Sequence, residues 1–269
     1  MIAVGKVAVL IPHYNNLTGL KSTLASFQPD DPADVVVVDD GSRTPPNEAE
    51  LRTWVSGERK IYLVLMSKNV GIEGALNAGL HRIRELGYDY IARIDCGDAN
   101  VGRRFTIQRD FLDSHPDINL VGGAAQFVDP SGAVLFVRTM PRDHAQIADF
   151  MFANSAFMHP AVMFRSRALD QVGDYPTDFP AAEDYAFFWR FVEFGEVANL
   201  PDVLITYEVS PDSISRSQRK EQLRSRLAVQ GLHNDGSLRA WRGRVRTRAL
   251  MLAPVGIIDR LKSRRYGQP

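Results

Sequence analysis

A doubly wound α/β sheet followed by a basic helical tail is the fold this 269-residue chain predicts. Three observations point to it. Strand and helix patterns alternate over about the first hundred residues, as parallel sheets with crossover helices require. Val35 to Val38 is an unbroken β-branched run, which suits a strand buried on both faces of such a sheet. The charge also divides sharply near residue 218, which separates the last fifty or so residues from the body.

The elements follow in order. Val7 to Ile11 is a short β-rich run closed by Pro12, and Leu17 to Phe27 has helical apolar spacing. After Val35 to Val38, the turn residues Asp39-Asp40-Gly41-Ser42 end the second strand. Asn47 can cap a helix reaching about Val55, and Ile61 to Leu65 is a third strand. Gly71 to Leu86 reads as a helix and Tyr90 to Ile94 as a fourth strand, ending at Asp95. The rhythm then changes. Arg103 to Ser114 is helical, Leu120 to Val128 extended, and Val134 to Val137 extended after a Pro-Ser-Gly turn. Residues 143–218 hold short mixed elements, among them an aromatic-rich helix at Glu183 to Phe194 and a strand at Val203 to Val209. No linker or internal repeat interrupts the chain. The organisation predicted is one domain over residues 1–215, with halves 1–100 and 101–215, and a helical basic extension over 216–269.

The net charge of zero conceals two opposed blocks. Residues 1–218 carry 19 basic and 29 acidic side chains, and residues 219–269 carry 13 and 3. Two readings of the tail stay open: an interfacial helix on anionic lipid, using Trp241, Leu250 to Leu252, Ile257 and Ile258, or a helical pair packed on the acidic body. The membrane reading places the contact at residues 239–265. Nucleic acid is not an expected partner, because no recognition motif accompanies the charge and the rest of the chain is acidic. No apolar stretch reaches the roughly 18–20 residues that span a bilayer. Met1 to Lys6 lead directly into a strand, so the expected location is cytoplasmic, at most peripheral to the inner face of the cell membrane. Cys96 is the single cysteine, so no disulfide forms within the chain, and it reads as a small residue beside a carboxylate loop.

Carboxylates recur just past buried strands: Asp39 and Asp40 after the second, Asp95 and Asp98 after the fourth. Ligands of open parallel sheets bind at those carboxyl ends. Acids gathered there repel one another and any phosphate unless a cation joins them, and Mg²⁺ or Mn²⁺ accepts oxygen ligands and binds phosphates. Asp39 and Asp40 could instead serve only as turn caps. Neither a G-x-G-x-x-G nor a G-x-x-x-x-G-K-[ST] run occurs, which argues against a dinucleotide dehydrogenase and a P-loop NTPase.

Six segments occur in a telling order: Val9-Leu-Ile-Pro-His-Tyr-Asn15, Val36-Val-Val-Asp-Asp-Gly-Ser42, Asn69-Val-Gly71 with Ala75 to Leu80, Ile91-Ala-Arg-Ile-Asp95, His159-Pro-Ala-Val-Met-Phe-Arg165, and Glu183-Asp184-Tyr185. Together they resemble the family 2 glycosyltransferases, inverting enzymes of the GT-A fold, over residues 6–215. The resemblance implies a nucleotide-sugar donor, most simply UDP-linked, and a hydroxyl of a surface glycan or lipid-linked acceptor, as in lipopolysaccharide, capsule or exopolysaccharide synthesis. It implies that Pro12, Tyr14, Asp39, Asp40, Asn69, Gly71, Asp95 and Arg104 line the donor site. Tyr14 would stack on the nucleobase and Asp40 would hold its ring N–H. The family's Asp-x-Asp-Asp acids read Asp95-Cys96-Gly97-Asp98 here, so Asp95 and Asp98 are left to hold a divalent cation (Mn²⁺ or Mg²⁺).

Asp184 matches the base that activates the acceptor, with Glu183 positioning it; on residue type alone, both acids could simply favour a helix N-terminus. His159 and Trp189 are placed on the acceptor side. His13 is a weaker candidate, Arg103 a second cation for the diphosphate, and Arg165 and Arg167 read as helix-capping or solvated. A non-catalytic nucleotide-sugar-binding scaffold of the same fold is the alternative, and a sugar nucleotidyltransferase lacks its Gly-rich first loop here.

Overall fold

Side-chain alternation in the first two strands decides the layering. In a computed structural model describing residues 5–209 and 219–253, Val7, Val9, Ile11, Val35 and Val37 enter one apolar core. Ala8, Leu10, Val36 and Val38 enter a second on the opposite face. A strand with apolar residues on both faces must be covered twice, and helices do this on each side.

The first half is the expected β/α repeat: β1 (Val7–His13), α1 (Leu17–Ala25), β2 (Asp34–Asp39), α2 (Glu48–Trp54), β3 (Ile61–Leu65), α3 (Ile72–Glu85) and β4 (Tyr90–Arg93). Asn16 caps α1 by accepting from Gly19 N–H at 2.9 Å, and Asn47 caps α2 through Glu50 N–H at 3.0 Å. The second half comprises β5 (Ala99–Asn100), α4 (Arg104–Ser114), β6 (Ile118–Val128), β7 (Val134–Arg138), α5 (His144–Met151), β8 (Met163–Arg165), α6 (Leu169–Val172), α7 (Glu183–Phe194) and β9 (Glu196–Glu208). The strands form one sheet in the order β3-β2-β1-β4-β8-β6-β9-β5, with β7 paired to β6. Strands β3 to β4 along that order are parallel, whereas β8 runs antiparallel to both β4 and β6.

Four elements were not foreseen: β5, β8, α5 and α6. The two strands are only two and three residues long, so neither carries a readable period. The strand expected at Val203 to Val209 is the end of the longer β9, whose register against β6 shifts three times. The sheet is therefore mixed, and the parallel order reverses into the second half beside β4, which places that strand's carboxyl end at the centre of the molecule.

The tail is helical, as its composition predicted: α8 (Arg219–Leu232) and α9 (Leu238–Leu252), the latter capped by Ser237. The hairpin docks on the body. His233 stacks on Trp189 at 4.5 Å with rings 5° apart and binds Glu193 at 2.6 Å. Gln230 donates to the Phe152 carbonyl (2.8 Å), Arg246 to the Ala153 carbonyl (2.9 Å), and Arg239 lies over the Phe152 ring at 4.7 Å. The packed reading thus holds for residues 219–253. The part of the membrane reading that rests on Ile257, Ile258 and residues 259–265 lies outside the described residues.

Gly243 sets how closely α9 approaches the body, because a Cβ there would collide with the Phe152 carbonyl. Backbone cannot step aside as a flexible side chain can. Gly243→Ala should therefore destabilise the protein by about 1–3 kcal/mol in urea unfolding despite its better helix propensity. A stabilised variant would show that α9 does not sit this close.

Candidate active site

The carboxyl ends of β1, β2 and β4 open into one cleft, and each predicted donor residue can be placed relative to it. Tyr14 follows β1 and is half exposed, its ring uncovered. Pro12 is buried within β1, in register with Val38, and shapes the strand end without facing the cleft. Asp39 is buried; its Oδ1 binds His13 Nδ1 at 2.7 Å and its Oδ2 accepts from Ser42 N–H at 3.0 Å. Asp40 is buried as well, and its two oxygens accept the backbone N–H groups of Val70 (2.8 Å) and Gly71 (3.0 Å). The Asp-Asp-Gly-Ser turn therefore knits the ends of β1 and β2 to the loop before α3. Gly71 meets this contact with φ +89°, a conformation that favours glycine. Asn69 is exposed on the same loop.

The loop after β4 is braced by α1. Thr23 donates through its hydroxyl to the Asp98 carbonyl (2.8 Å) and accepts from Gly97 N–H (2.9 Å), and the Cys96 thiol donates to the Asn16 carbonyl (3.2 Å). Burial, then the charges of Asp95 and Asp98, push that thiol up to about 12, so Cys96 is not a nucleophile at neutral pH. Gly97 has φ +111°, so in this loop conformation an aspartate at its position would be strained. Asp98 is buried, and its Oδ2 has no hydrogen-bond partner among the described residues. Burial, then the neighbouring Asp95 charge, hold Asp98 well above the usual carboxylate range. Among the described residues, no three His, Cys, Asp or Glu side chains are gathered closely enough to cage a metal.

Between this loop and the start of α7 lies a residue the sequence reading quoted but did not single out. Arg93 ends β4, is buried, and binds Asp95 at 2.5 Å. Among the described residues its Nε and Nη1 have no hydrogen-bond partners. It is a charged neighbour of Asp95, Asp98, Glu183, Asp184, His159 and Tyr175. The signal available in the sequence was a lone charge inside the buried run Ile91-Ala-Arg-Ile94, since an arginine is almost never fully buried without partners.

Glu183 and Asp184 open α7 and face this cation. Burial, then the Asp184 charge, raise Glu183 to about 8, and its Oε2 has no hydrogen-bond partner among the described residues. Asp184 is half-buried and also raised, chiefly by burial, but Tyr185 N–H, Arg93 and Arg226 of α8 hold it down. His159 is partly buried with Nε2 at 2.9 Å from the Tyr175 hydroxyl; burial, then Arg93, keep it neutral. Tyr175 is fixed by Asn77, which exchanges two hydrogen bonds with its backbone (2.8 and 2.9 Å), and stacks on Phe187.

Three expectations need correction. Arg104 does not reach a diphosphate: it is fully buried, donating to the carbonyls of Pro160, Arg93 and Val162 and to Gln108 Oε1. The N-terminus of α4 is closed too, since Phe105 and Thr106 N–H donate to the buried Asp31. Trp189 is not on the acceptor side; it is buried against His233 and Phe152 and serves tail docking. Arg165 is not solvated: it is buried, and it caps the end of α4 by donating to the carbonyls of Leu112 and His115, with a further bond to the Ile118 carbonyl. In each case the sequence showed a cation or ring of suitable type, and packing decided where it pointed.

Residues 8–173 match the family described as glycosyl transferase family 2. The chain is 30% identical over 197 residues to the amylovoran biosynthesis glycosyltransferase AmsE of Erwinia amylovora, covering 73% of this chain and 72% of that one. It is 27% identical over 191 residues to an Escherichia coli UDP-Gal:alpha-D-GlcNAc-diphosphoundecaprenol beta-1,3-galactosyltransferase, covering 69% and 66%. Among solved structures it resembles S. aureus TarS 1–349 in complex with UDP (TM-score 0.61, 19% identity, 84% of this chain). It spans 65% of that chain, just under two thirds. It also resembles the mannosyltransferase PcManGT of Pyrobaculum calidifontis in complex with GDP-Man and Mn²⁺ (TM-score 0.61, 18% identity, 93% and 70% coverage). These likenesses identify the fold as GT-A.

The raised Glu183 has a consequence for stability. In the folded chain it keeps its proton to about pH 8, and unfolded only to the ordinary carboxylate range. Its contribution is complete at low pH and is lost as the pH rises to about 8. The melting temperature should therefore fall between pH 5 and 9, and Glu183→Gln, neutral throughout, should flatten that slope. An unchanged slope would mean Glu183 ionises normally.

Proposed function

The chain belongs to glycosyl transferase family 2, and on that premise we propose that it transfers one hexose-type residue from a nucleotide sugar to an acceptor hydroxyl with inversion. The donor is UDP-linked and the acceptor is a surface glycan or its lipid-linked precursor. One observation carries this reading. The buried Arg93 pairs with Asp95 and exerts its charge on Asp98, Glu183 and Asp184, which puts the acids after β4 and those opening α7 within electrostatic reach of one cation and supports a shared site. The relatives' chemistry agrees: one takes UDP-Gal to a diphosphoundecaprenol-linked sugar and another acts in amylovoran synthesis.

On the donor side, the exposed Tyr14 ring offers a stacking face to the base, and Asp39 and Asp40 hold the loops around it. Asp95 and Asp98 suit a hard divalent cation: both present oxygen, and Asp98 keeps one oxygen without a partner. Such sites use one or two carboxylates, with phosphate and water supplying the rest. The cation supplies charge neutralisation at the diphosphate.

On the acceptor side, burial pushes both acids of α7 up, Glu183 to about 8. Glu183 can donate a hydrogen bond to the acceptor while it holds its proton. The base is Asp184, whose rise is opposed by Tyr185 N–H, Arg93 and Arg226. It takes the acceptor hydroxyl's proton as that oxygen bonds to the anomeric carbon. The bond from that carbon to the diphosphate breaks on the opposite side, and its electron pair leaves with the nucleoside diphosphate. Arg93 stays between the two pairs and limits their mutual repulsion.

Asp184→Asn should lower the transfer rate by about 10²–10⁴-fold while donor affinity is kept. Transfer is measured by product formation from a panel of nucleotide sugars, and full activity in that variant would remove Asp184 as the base. Nucleotide affinity by calorimetry should be higher with Mn²⁺ than with EDTA, and Asp95→Asn should erase the difference. An affinity indifferent to chelation would leave the diphosphate to protein cations.

A further inference from the structure

Helix α9 has a face that the docked hairpin does not use. Its inner side is made of small residues, Ala240, Gly243 and Thr247, which are buried on the body. Its outer side carries Leu238 (59% exposed), Trp241 (60%), Val245 (40%) and Leu252 (86%). These positions, spaced by three, four and seven residues, fall on one stripe of the helix. Single exposed apolar residues are ordinary. A stripe of four that includes a tryptophan, opposite a buried face, is not scattered.

The charge around the stripe is of one sign. Residues 238–252 contain five arginines and no acid. Arg239 and Arg246 are used in docking, whereas Arg242 and Arg248 are exposed beside the stripe and make no ion pair or hydrogen bond among the described residues. Past the helix, residues 254–269 add Arg260, Lys262, Arg264 and Arg265 against Asp259. Two other occupants of the stripe meet like charge: a second copy would set one acid-free helix against another, and residues 254–269 folding back would bring more cations to it. Residues 1–218, with their acidic excess, would be repelled by an anionic surface, so this face alone suits one.

We propose that the outer face of α9 lies on an anionic phospholipid surface, with Leu238, Trp241, Val245 and Leu252 entering the headgroup–acyl boundary and Arg242 and Arg248 pairing with lipid phosphates. The packed and the membrane-bound tail are then one arrangement: the small-residue face holds the body and the apolar face holds the lipid.

Flotation of the full chain with vesicles tests this without turnover, so its outcome is separate from that of the Asp184→Asn assay. Binding is expected to phosphatidylcholine vesicles containing phosphatidylglycerol and not to phosphatidylcholine alone, with a blue shift of tryptophan emission. The double variant Trp241→Ser/Leu252→Ser, altered only at exposed positions, should lose about tenfold or more in partitioning. Arg242→Gln/Arg248→Gln should weaken binding and flatten its salt dependence. Three results would each overturn the proposal: no flotation with anionic vesicles, equal flotation of the Trp241→Ser/Leu252→Ser variant, or a concentration-dependent dimer in solution that this variant dissolves.

Discussion

A guanidinium buried at the end of a central parallel strand is stable only where carboxylates or carbonyls surround it, because an isolated charge is expelled from a low-dielectric interior. Arg93 occupies that position, and the cleft is arranged around it. It binds Asp95 directly and is a charged neighbour of Asp98, Glu183 and Asp184, which come from two separate parts of the chain. Without a cation between them, four acids at the mouth of one sheet would repel one another. The same charge lowers His159 further and opposes the burial-driven rise of both Glu183 and Asp184. One side chain thus links the loop after β4 to the start of α7.

The rest of the second half is secured by cations of another kind. Arg104 and Arg165 are both buried and spend their N–H groups on backbone carbonyls, tying α4 to β4 and β8 and the end of α4 to β6. Those carbonyls lie at strand ends, in the segment before β8 and at the end of α4, and an arginine fork binds several at once. The antiparallel β8 is only three residues long, and these bolts help to hold it between β4 and β6. The tail continues the theme, with Gln230 and Arg246 answering the carbonyls that follow α5.

The hairpin also bears on the reaction centre. Arg226 lies over the ring of Tyr185 at 5.9 Å, and Tyr185 is the neighbour of Asp184. A segment that by composition is a basic extension therefore contributes charge to the acceptor-side acids. The opposed charges of body and tail are not the whole of the contact: beside the His233–Glu193 and Arg239–Asp149 pairs stand a stacked Trp189–His233 pair and hydrogen bonds to backbone carbonyls. The neutral total describes neither half of the molecule.

Sequence alone determined the parallel β/α half, because the unbroken apolar runs Val7 to Ile11 and Val35 to Val38 specify strands covered on both sides, and the cap at Asn47 is local chemistry. It also determined the family, since the six motifs sit at strand ends and helix starts where spacing is fixed by the fold. Only the tertiary structure decided which charged and aromatic side chains face the cleft. Arg104 and Trp189 have the residue types of a binding site, yet packing turned them into the interior, while Arg93 was brought between the acid pairs. The glycine within Asp95-Cys96-Gly97-Asp98 stands where the resembled motif has an acid, and the backbone there takes a φ of +111° that favours glycine. Local sequence sets the period of an element and its ends. The direction of a long side chain depends on which distant carbonyls and carboxylates need it, and those are assembled only when β4, α4, β8 and α7 come together.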